Sequence, residues 1–146
     1  MDTLTDTTEE LAADLIAHSG RLMRLVAAEA SVGMSSTQGR TLARLEEYGP
    51  VRVTDLAAAE HVAQPTMTAL VDRMERAGYV RRQQDAADGR VVLVAVTDAG
   101  RERRAQSRRA MAEVLVPRLR RLSGEQRERL TQLTRALAEL CDGADE

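Results

Sequence analysis

Leu11, Leu15, His18, Leu22, Leu25 and Glu29 recur at alternating steps of four and three, and the stripe is apolar except at His18 and at its end. Such spacing places these residues on one side of a helix, expected over about 8–30. Thr7 and Glu10 have the separation of a capping box at its start. "SVGM" (31–34) interrupts the pattern, and Ser35-Ser36 reopens a helix that runs through Leu42 and Leu45 to Tyr48. Gly49-Pro50 stops it. Val51 and Val53 alternate as a short strand would, which leaves Thr54 as the N-cap of "DLAAAEHV". A turn at Ala63-Gln64 follows, with Pro65 in the place of a first helical residue. Ala63 has no capping oxygen, so Gln64 is expected to serve instead. "PTMTALVDRMERA" then reads as a helix ended by Gly78.

The period changes next. "YVRRQQ" and "VVLVAV" read as two strands joined by "DAADGR". Thr97-Asp98 caps a long Arg-rich helix carrying Met111, Leu115, Leu119 and Leu122, which Pro117 is expected to kink or briefly break. Ser123 and Gln126 form a further capping box. Beyond it Leu130, Leu133, Leu137 and Leu140 follow the 3-4-3 spacing of a coiled-coil seam.

Two short helices separated by a tight polar turn, then a hairpin, describe a winged helix-turn-helix. The expected fold is mainly α with a small β-hairpin wing, joined to a helical dimerisation region. On a helical wheel Met67, Leu70, Val71 and Met74 share one face of the second short helix and should pack on Leu56 and Ala57. Pro65, Thr66, Ala69, Asp72, Arg73 and Arg76 take the other face, free to enter a major groove. Gln64, Thr66 and Thr68 are small polar groups near a helix N-terminus, where backbone N–H groups favour phosphate. Arg81 and Arg82 would flank the groove, and Arg90 stands at the wing tip. The bland alternative for Arg73 and Arg76 is a solvated face paired with Asp72 or Glu75.

Charge sharpens this picture. The net charge is −2, yet residues 1–20 hold five acids and no Arg, and 139–146 hold four. The central 118 residues therefore carry all 21 Arg against 14 acids, a surplus of seven. An acidic total is no argument against nucleic acid when the basic residues are concentrated in this way. Every cation is Arg, whose planar fork matches phosphate and base edges. The run "RERRAQSRR" (101–109) reads as a solvated helix face rather than a phosphate stripe.

Other chemistries find little support. Cys141 stands alone, so no intramolecular disulfide is expected, and a structural thiol is preferred to a redox switch. His18 and His61 are the two imidazoles and lie far apart in sequence, giving no zinc spacing. There is no Gly-rich phosphate loop and no nucleophile–base pair at a plausible turn, so no catalytic residue, metal or cofactor is assigned. "MDTLTDTTEEL" lacks the apolar run of a signal peptide, and no stretch approaches the roughly 20 apolar residues of a membrane span. A cytoplasmic protein with no membrane partner is expected.

Residues 49–100 resemble the MarR family of bacterial winged-helix regulators. The likeness is carried by the helix-turn-helix, by the Asp-x-Arg wing (Asp88-Gly89-Arg90), and by a return strand ending in Thr-x-x-Gly (Thr97-Asp98-Ala99-Gly100). The flanking helices match in order, so it extends over nearly the whole chain. The resemblance implies one domain over 1–146, with a DNA-binding lobe at about 34–97 and dimerisation helices at about 8–30 and 98–141. It implies that Asp88 braces the wing and that Arg90 enters a minor groove. The DNA-contacting set is then Gln64, Pro65, Thr66, Thr68, Ala69, Arg73, Arg81, Asp88 and Arg90. Relatives often carry Arg where Gly89 stands and Arg or another polar residue where Ala69 stands. Backbone contacts and DNA shape are accordingly expected to supply a large share of recognition.

A homodimer is expected through Leu11, Leu15, Leu119, Leu130, Leu133, Leu137 and Leu140. Family members often bind small aromatic acids between the dimer helices and the DNA-binding lobe. His18, Arg21, Tyr48 and Met111 are the residues that would line such a pocket here. The expected function is a dimeric repressor bound to a pseudo-palindromic operator on double-stranded DNA and released by a small-molecule effector. The competing reading is a winged-helix protein–protein adaptor that has lost specific DNA binding, which Ala69 and Gly89 slightly favour.

Overall fold

Ser35 accepts the Gln38 backbone N–H at 3.2 Å while the Gln38 side chain accepts the Ser35 N–H at 2.9 Å. This reciprocal cap starts the helix that organises the DNA-binding half of the chain. A computed structural model describes residues 3–30 and 33–142. Its elements are α1 (Thr3–Glu29), α2 (Ser36–Tyr48), α3 (Val53–Ala59), α4 (Gln64–Arg76), β1 (Val80–Gln84), β2 (Val92–Val96), α5 (Asp98–Arg120) and α6 (Gly124–Asp142). The chain divides into two units, one of Ser31–Ala110 and one combining Met1–Ala30 with Met111–Glu146.

The first unit is built on a core that the sequence pattern locates well. Met67, Leu70, Val71 and Met74 of α4 are buried against Leu42, Leu45, Leu56, Ala57, Val80, Val94 and Val96. Full burial of such aliphatic side chains contributes about 1.5–3 kcal/mol each, so this face of α4 is held firmly. β1 and β2 pair antiparallel from Val80↔Val96 to Gln84↔Val92. Two ion pairs tie α2 outward: Arg40 to Glu60 at 2.6 Å, and Glu46 to Arg104 of α5.

Several boundaries differ from expectation. α1 extends to Thr3, so Thr7 lies inside it rather than at its cap: a helix already running needs no box there. Ser31 and Val32 of the expected "SVGM" break lie outside the described residues. Val51 does pair, exchanging N–H···O bonds of 3.1 and 2.8 Å with Val94, which gives β2 a partner on each side. Val53, however, is the first residue of α3, so the N-cap is Arg52 and not Thr54. The backbone turns one residue after Val51 because a single bridge satisfies that residue's polar groups. Pro65 is the second residue of α4, after Gln64, and neither Ala63 nor Gln64 supplies a side-chain cap.

α4 ends in a Schellman motif. Gly78 takes φ +78°, its N–H donates to the Glu75 carbonyl at 2.9 Å, and the Tyr79 N–H donates to the Met74 carbonyl at 2.9 Å. Thr97 caps α5, its Oγ1 accepting the Gly100 N–H at 3.1 Å. α5 continues without a break through Pro117 to Arg120. The proline lies at the start of the last turn, where its missing amide costs a single bond and little helix remains to be kinked. Ser123 and Gln126 form the expected box at the start of α6.

In the second unit Val26 is buried, whereas α6 buries no residue at all. Arg118 ties α5 to α1 through Glu29 at 2.6 Å. No helix among the described residues is long and apolar enough to cross a membrane.

Candidate nucleic-acid interface

The outer face of α4 carries what the helical wheel assigns to it. Gln64, Pro65, Thr66, Ala69, Arg73 and Arg76 are exposed. Thr68 is half-buried and turns toward the wing instead. Arg73 and Arg76 form no ion pair among the described residues, because the acids beside them are already engaged. Arg82 of β1 reaches across to α4, donating to Asp72 Oδ1 at 2.6 Å and to Glu75 Oε2, while its backbone N–H donates to Glu75 Oε1 at 2.9 Å. Burial works to lower the Arg82 pKa, but hydrogen bonds and charge attraction from Asp72 and Glu75 prevail and hold it above the ordinary arginine value.

Arg82, expected with Arg81 at the groove, is paired with the two carboxylates of α4. Arg73 and Arg76 are left without an ion pair among the described residues. Arg81, next to Arg82, points the other way along the strand alternation. It is exposed, its guanidinium donating to Gln83 Oε1 at 3.2 and 3.3 Å.

Two carboxylates order the wing loop, and Asp85 Oδ1 accepts the Ala87 backbone N–H at 2.9 Å. Asp88 Oδ1 accepts the Arg90 backbone N–H at 3.1 Å and its Nε–H at 3.2 Å. The Arg90 guanidinium also donates to Oδ2 at 3.5 Å. The Arg90 side chain remains 93% exposed, so it is aimed without being covered. The side-chain and then the backbone bonds from Arg90 hold the Asp88 carboxyl below its ordinary value, and the positive charge of Arg52 lowers it further.

An open hollow of about 560 Å³ lies between the start of α4 and the wing, lined by Arg52, Val53, Thr54, Gln64, Thr68, Arg82, Val91 and Val92. It brings Gln64 and Thr68 together. Its lining also includes Arg52 and Thr54, which are not among the contacts expected from the sequence. The signal was present in "PVRVTD" but was concealed by placing Val53 in a strand.

None of the residues expected around an effector is among those lining this hollow. His18 and Arg21 are exposed on α1, with His18 Nδ1 donating to the Asp14 carbonyl at 2.8 Å. Met111 is half-buried on α5. Tyr48, in the other unit, is 55% exposed with the Arg44 guanidinium 5.3 Å from its ring centre. Of the expected dimer residues, Leu11, Leu119, Leu130, Leu133 and Leu140 are exposed, and Leu15 and Leu137 are half-buried. Cys141 is exposed. Among the described residues no three metal-ligating side chains cluster.

A helix-turn-helix, an exposed recognition face and a basic hairpin define a winged-helix DNA-binding protein. The MarR family profile matches residues 34–92. An HTH-type transcriptional regulator of Mycobacterium leprae is 32% identical over 95% of this chain and 98% of its own length. The transcriptional repressor MdtR of Bacillus subtilis is 29% identical over 47% of this chain and 44% of its own. Among solved structures, a MarR family protein from Bacillus stearothermophilus superposes with a TM-score of 0.67, at 26% identity over 97% of this chain and 98% of that one. The chain belongs to the MarR family and is a DNA-binding transcriptional regulator.

Proposed function

We propose that the protein is a homodimeric repressor of a pseudo-palindromic operator, acting in the cytoplasm by covering a promoter. The observation that carries this reading is the division of labour on α4: Asp72 and Glu75 are held by Arg82, so the face bearing Thr66, Ala69, Arg73 and Arg76 is free of competing acids. The lobe at about 34–97 meets DNA in this reading. Gln64, Pro65, Thr66, Thr68, Ala69, Arg73 and Arg81 serve the major groove and its backbone, and Asp88 and Arg90 serve the wing.

The helices at about 8–30 and 98–141 form the dimer. Support comes from large apolar side chains left exposed on α1 and α6, including Leu11 at 59%, Leu133 at 44% and Leu140 at 67%. Exposed apolar area, where it is contiguous, marks an interface. A twofold dimer would place two lobes on half-sites one helical turn apart, roughly 34–36 Å. Repression is supported by relatives that carry the name repressor, MdtR among them. Family likeness supports a small-molecule effector near His18, Arg21, Tyr48 and Met111, which would act through unequal affinity for the DNA-bound and free dimer.

Fluorescence anisotropy with the duplex upstream of the protein's own gene, against an unrelated duplex, tests the reading. Expected is a preference of about a thousandfold or more with a steep salt dependence. Equal binding at about 10⁻⁴–10⁻⁶ M to both duplexes would remove that site as the operator.

A further inference from the structure

We propose that Arg52 is a DNA-backbone contact, its guanidinium taking a phosphate of the strand that crosses the hollow between the start of α4 and the wing. The inference rests on the DNA-binding reading and adds to it a residue and a role.

Arg52 is the N-cap residue of α3, in extended conformation with φ −71° and ψ 151°, and its side chain makes no capping bond. It is exposed and forms no ion pair among the described residues. Two cations line the hollow, Arg52 and Arg82. Arg82 is paired with both Asp72 and Glu75, so its charge is already balanced. The hollow's available positive charge is therefore that of Arg52.

Its neighbours fit an anionic strand. Thr54, Gln64 and Thr68 add neutral hydrogen-bonding groups to the same lining, and no carboxylate lies among the lining residues. The charge of Arg52 also reaches Asp88, the carboxylate that holds Arg90. Arg52 and Arg90 thus both act electrostatically on one acid. With the positive charge in excess, a phosphate entering here meets net attraction. The contact proposed is with the backbone and is therefore independent of sequence.

The test uses the full-length protein, a short mixed-sequence duplex and the duplex upstream of its own gene, titrated between about 50 and 200 mM salt. Arg52→Gln is expected to make the slope of log K against log[salt] shallower by about 0.9 on both duplexes. That corresponds to about eightfold weaker binding near 0.1 M salt. Arg52→Lys should keep most of the slope, and Arg52→Glu should lose more than Arg52→Gln. An unchanged slope in Arg52→Gln overturns the proposal. So does a loss confined to the upstream duplex, which would make Arg52 a sequence reader. Introducing Arg52→Gln into an Asp88→Asn background separates a phosphate contact from wing support: the slope should fall again, and no further change would show that Arg52 acts only through Asp88. If the wild-type protein bound neither duplex, the DNA-binding reading itself would fall, an outcome distinct from all of these.

Discussion

The Arg82 guanidinium on β1 lies 2.6 Å from Asp72 Oδ1 on α4, and through this contact the first strand of the wing is tied to the recognition helix. Arg82 also bonds Glu75 through its side chain and its backbone N–H. One residue thus links hairpin to helix and neutralises two carboxylates on α4, at the edge of the face proposed to meet DNA.

Arg82→Ala should therefore have two effects of different size. These groups are partly solvent-exposed, with side chains at 29% for Arg82 and 42% for Asp72, so stability should fall by only about 1 kcal/mol. DNA affinity should fall further than the melt suggests, because Asp72 and Glu75 would then face the phosphates unpaired. Urea melts and anisotropy on the same preparation compare the two. A variant that binds DNA as tightly as wild type would show that these acids lie out of reach of the backbone.

Gly100→Ala tests the joint between α4 and α5. A Cβ at this position would meet the Tyr79 carbonyl oxygen at 2.1 Å and Val96 Cγ2 at 2.9 Å. The obstacle is backbone, held by Thr97 Oγ1 donating to the Gly78 carbonyl at 2.6 Å and by the Thr97 N–H donating to the Tyr79 carbonyl at 3.1 Å. It cannot rotate away as a side chain would. Overpacking of this kind should cost at least about 2 kcal/mol, read as a lower midpoint in urea. An unaltered midpoint would mean that α5 can shift its first turn freely.

Arg90→Ala removes an exposed charge whose bonds are to Asp88 two residues away, so the fold should be nearly indifferent. Operator affinity should drop by about 1–3 kcal/mol if the guanidinium enters a groove. Sedimentation should still show the wild-type oligomer. Undiminished affinity would take the wing tip out of recognition.

Leu133→Arg places a charge on α6, a helix without a buried residue, at a side chain that is 44% exposed in the single chain. In a monomer the change would be harmless. In the proposed dimer it should desolvate an unpaired guanidinium and dissociate the subunits, visible as a halved mass by light scattering and as loss of operator binding. A variant that keeps its mass and its affinity would place the interface elsewhere.

Asp88 gives a pH prediction with a definite sign. Its carboxyl is held below the ordinary aspartate value of 3.8 by Arg90 and Arg52. A depressed folded-state value contributes stability above the unfolded pKa and loses it as pH falls through the folded one. The wing should thus keep its bracing throughout the neutral range and loosen only in acid. A titration of the Asp88 side-chain carbon by NMR should show a midpoint below 3.8, and a midpoint at or above it would dissolve the bracing argument.

What the sequence determined by itself was everything set by periodicity and local chemistry. The 3.6-residue spacing of Met67, Leu70, Val71 and Met74 marks a buried face without reference to anything else. Gly78 and the Ser123–Gln126 pair specify helix ends through groups within six residues of one another. The hairpin follows from alternation on either side of a polar loop. Tertiary structure decided the partners of long side chains and the exact start of α3. Arg82 lies ten residues from Asp72, and no local rule prefers that pairing over the adjacent Arg73 or Arg76; only the packing of β1 against α4 brings the groups within reach. Val51 bridges to Val94, 43 residues away, and satisfying that one backbone site releases Val53 into the helix and leaves Arg52 at its head. Gly100 likewise reads as a helix-weakening residue until the Tyr79 carbonyl is found against it. Contacts between residues distant in the chain depend on the assembled core, and a pattern with a period of a few residues carries no record of them.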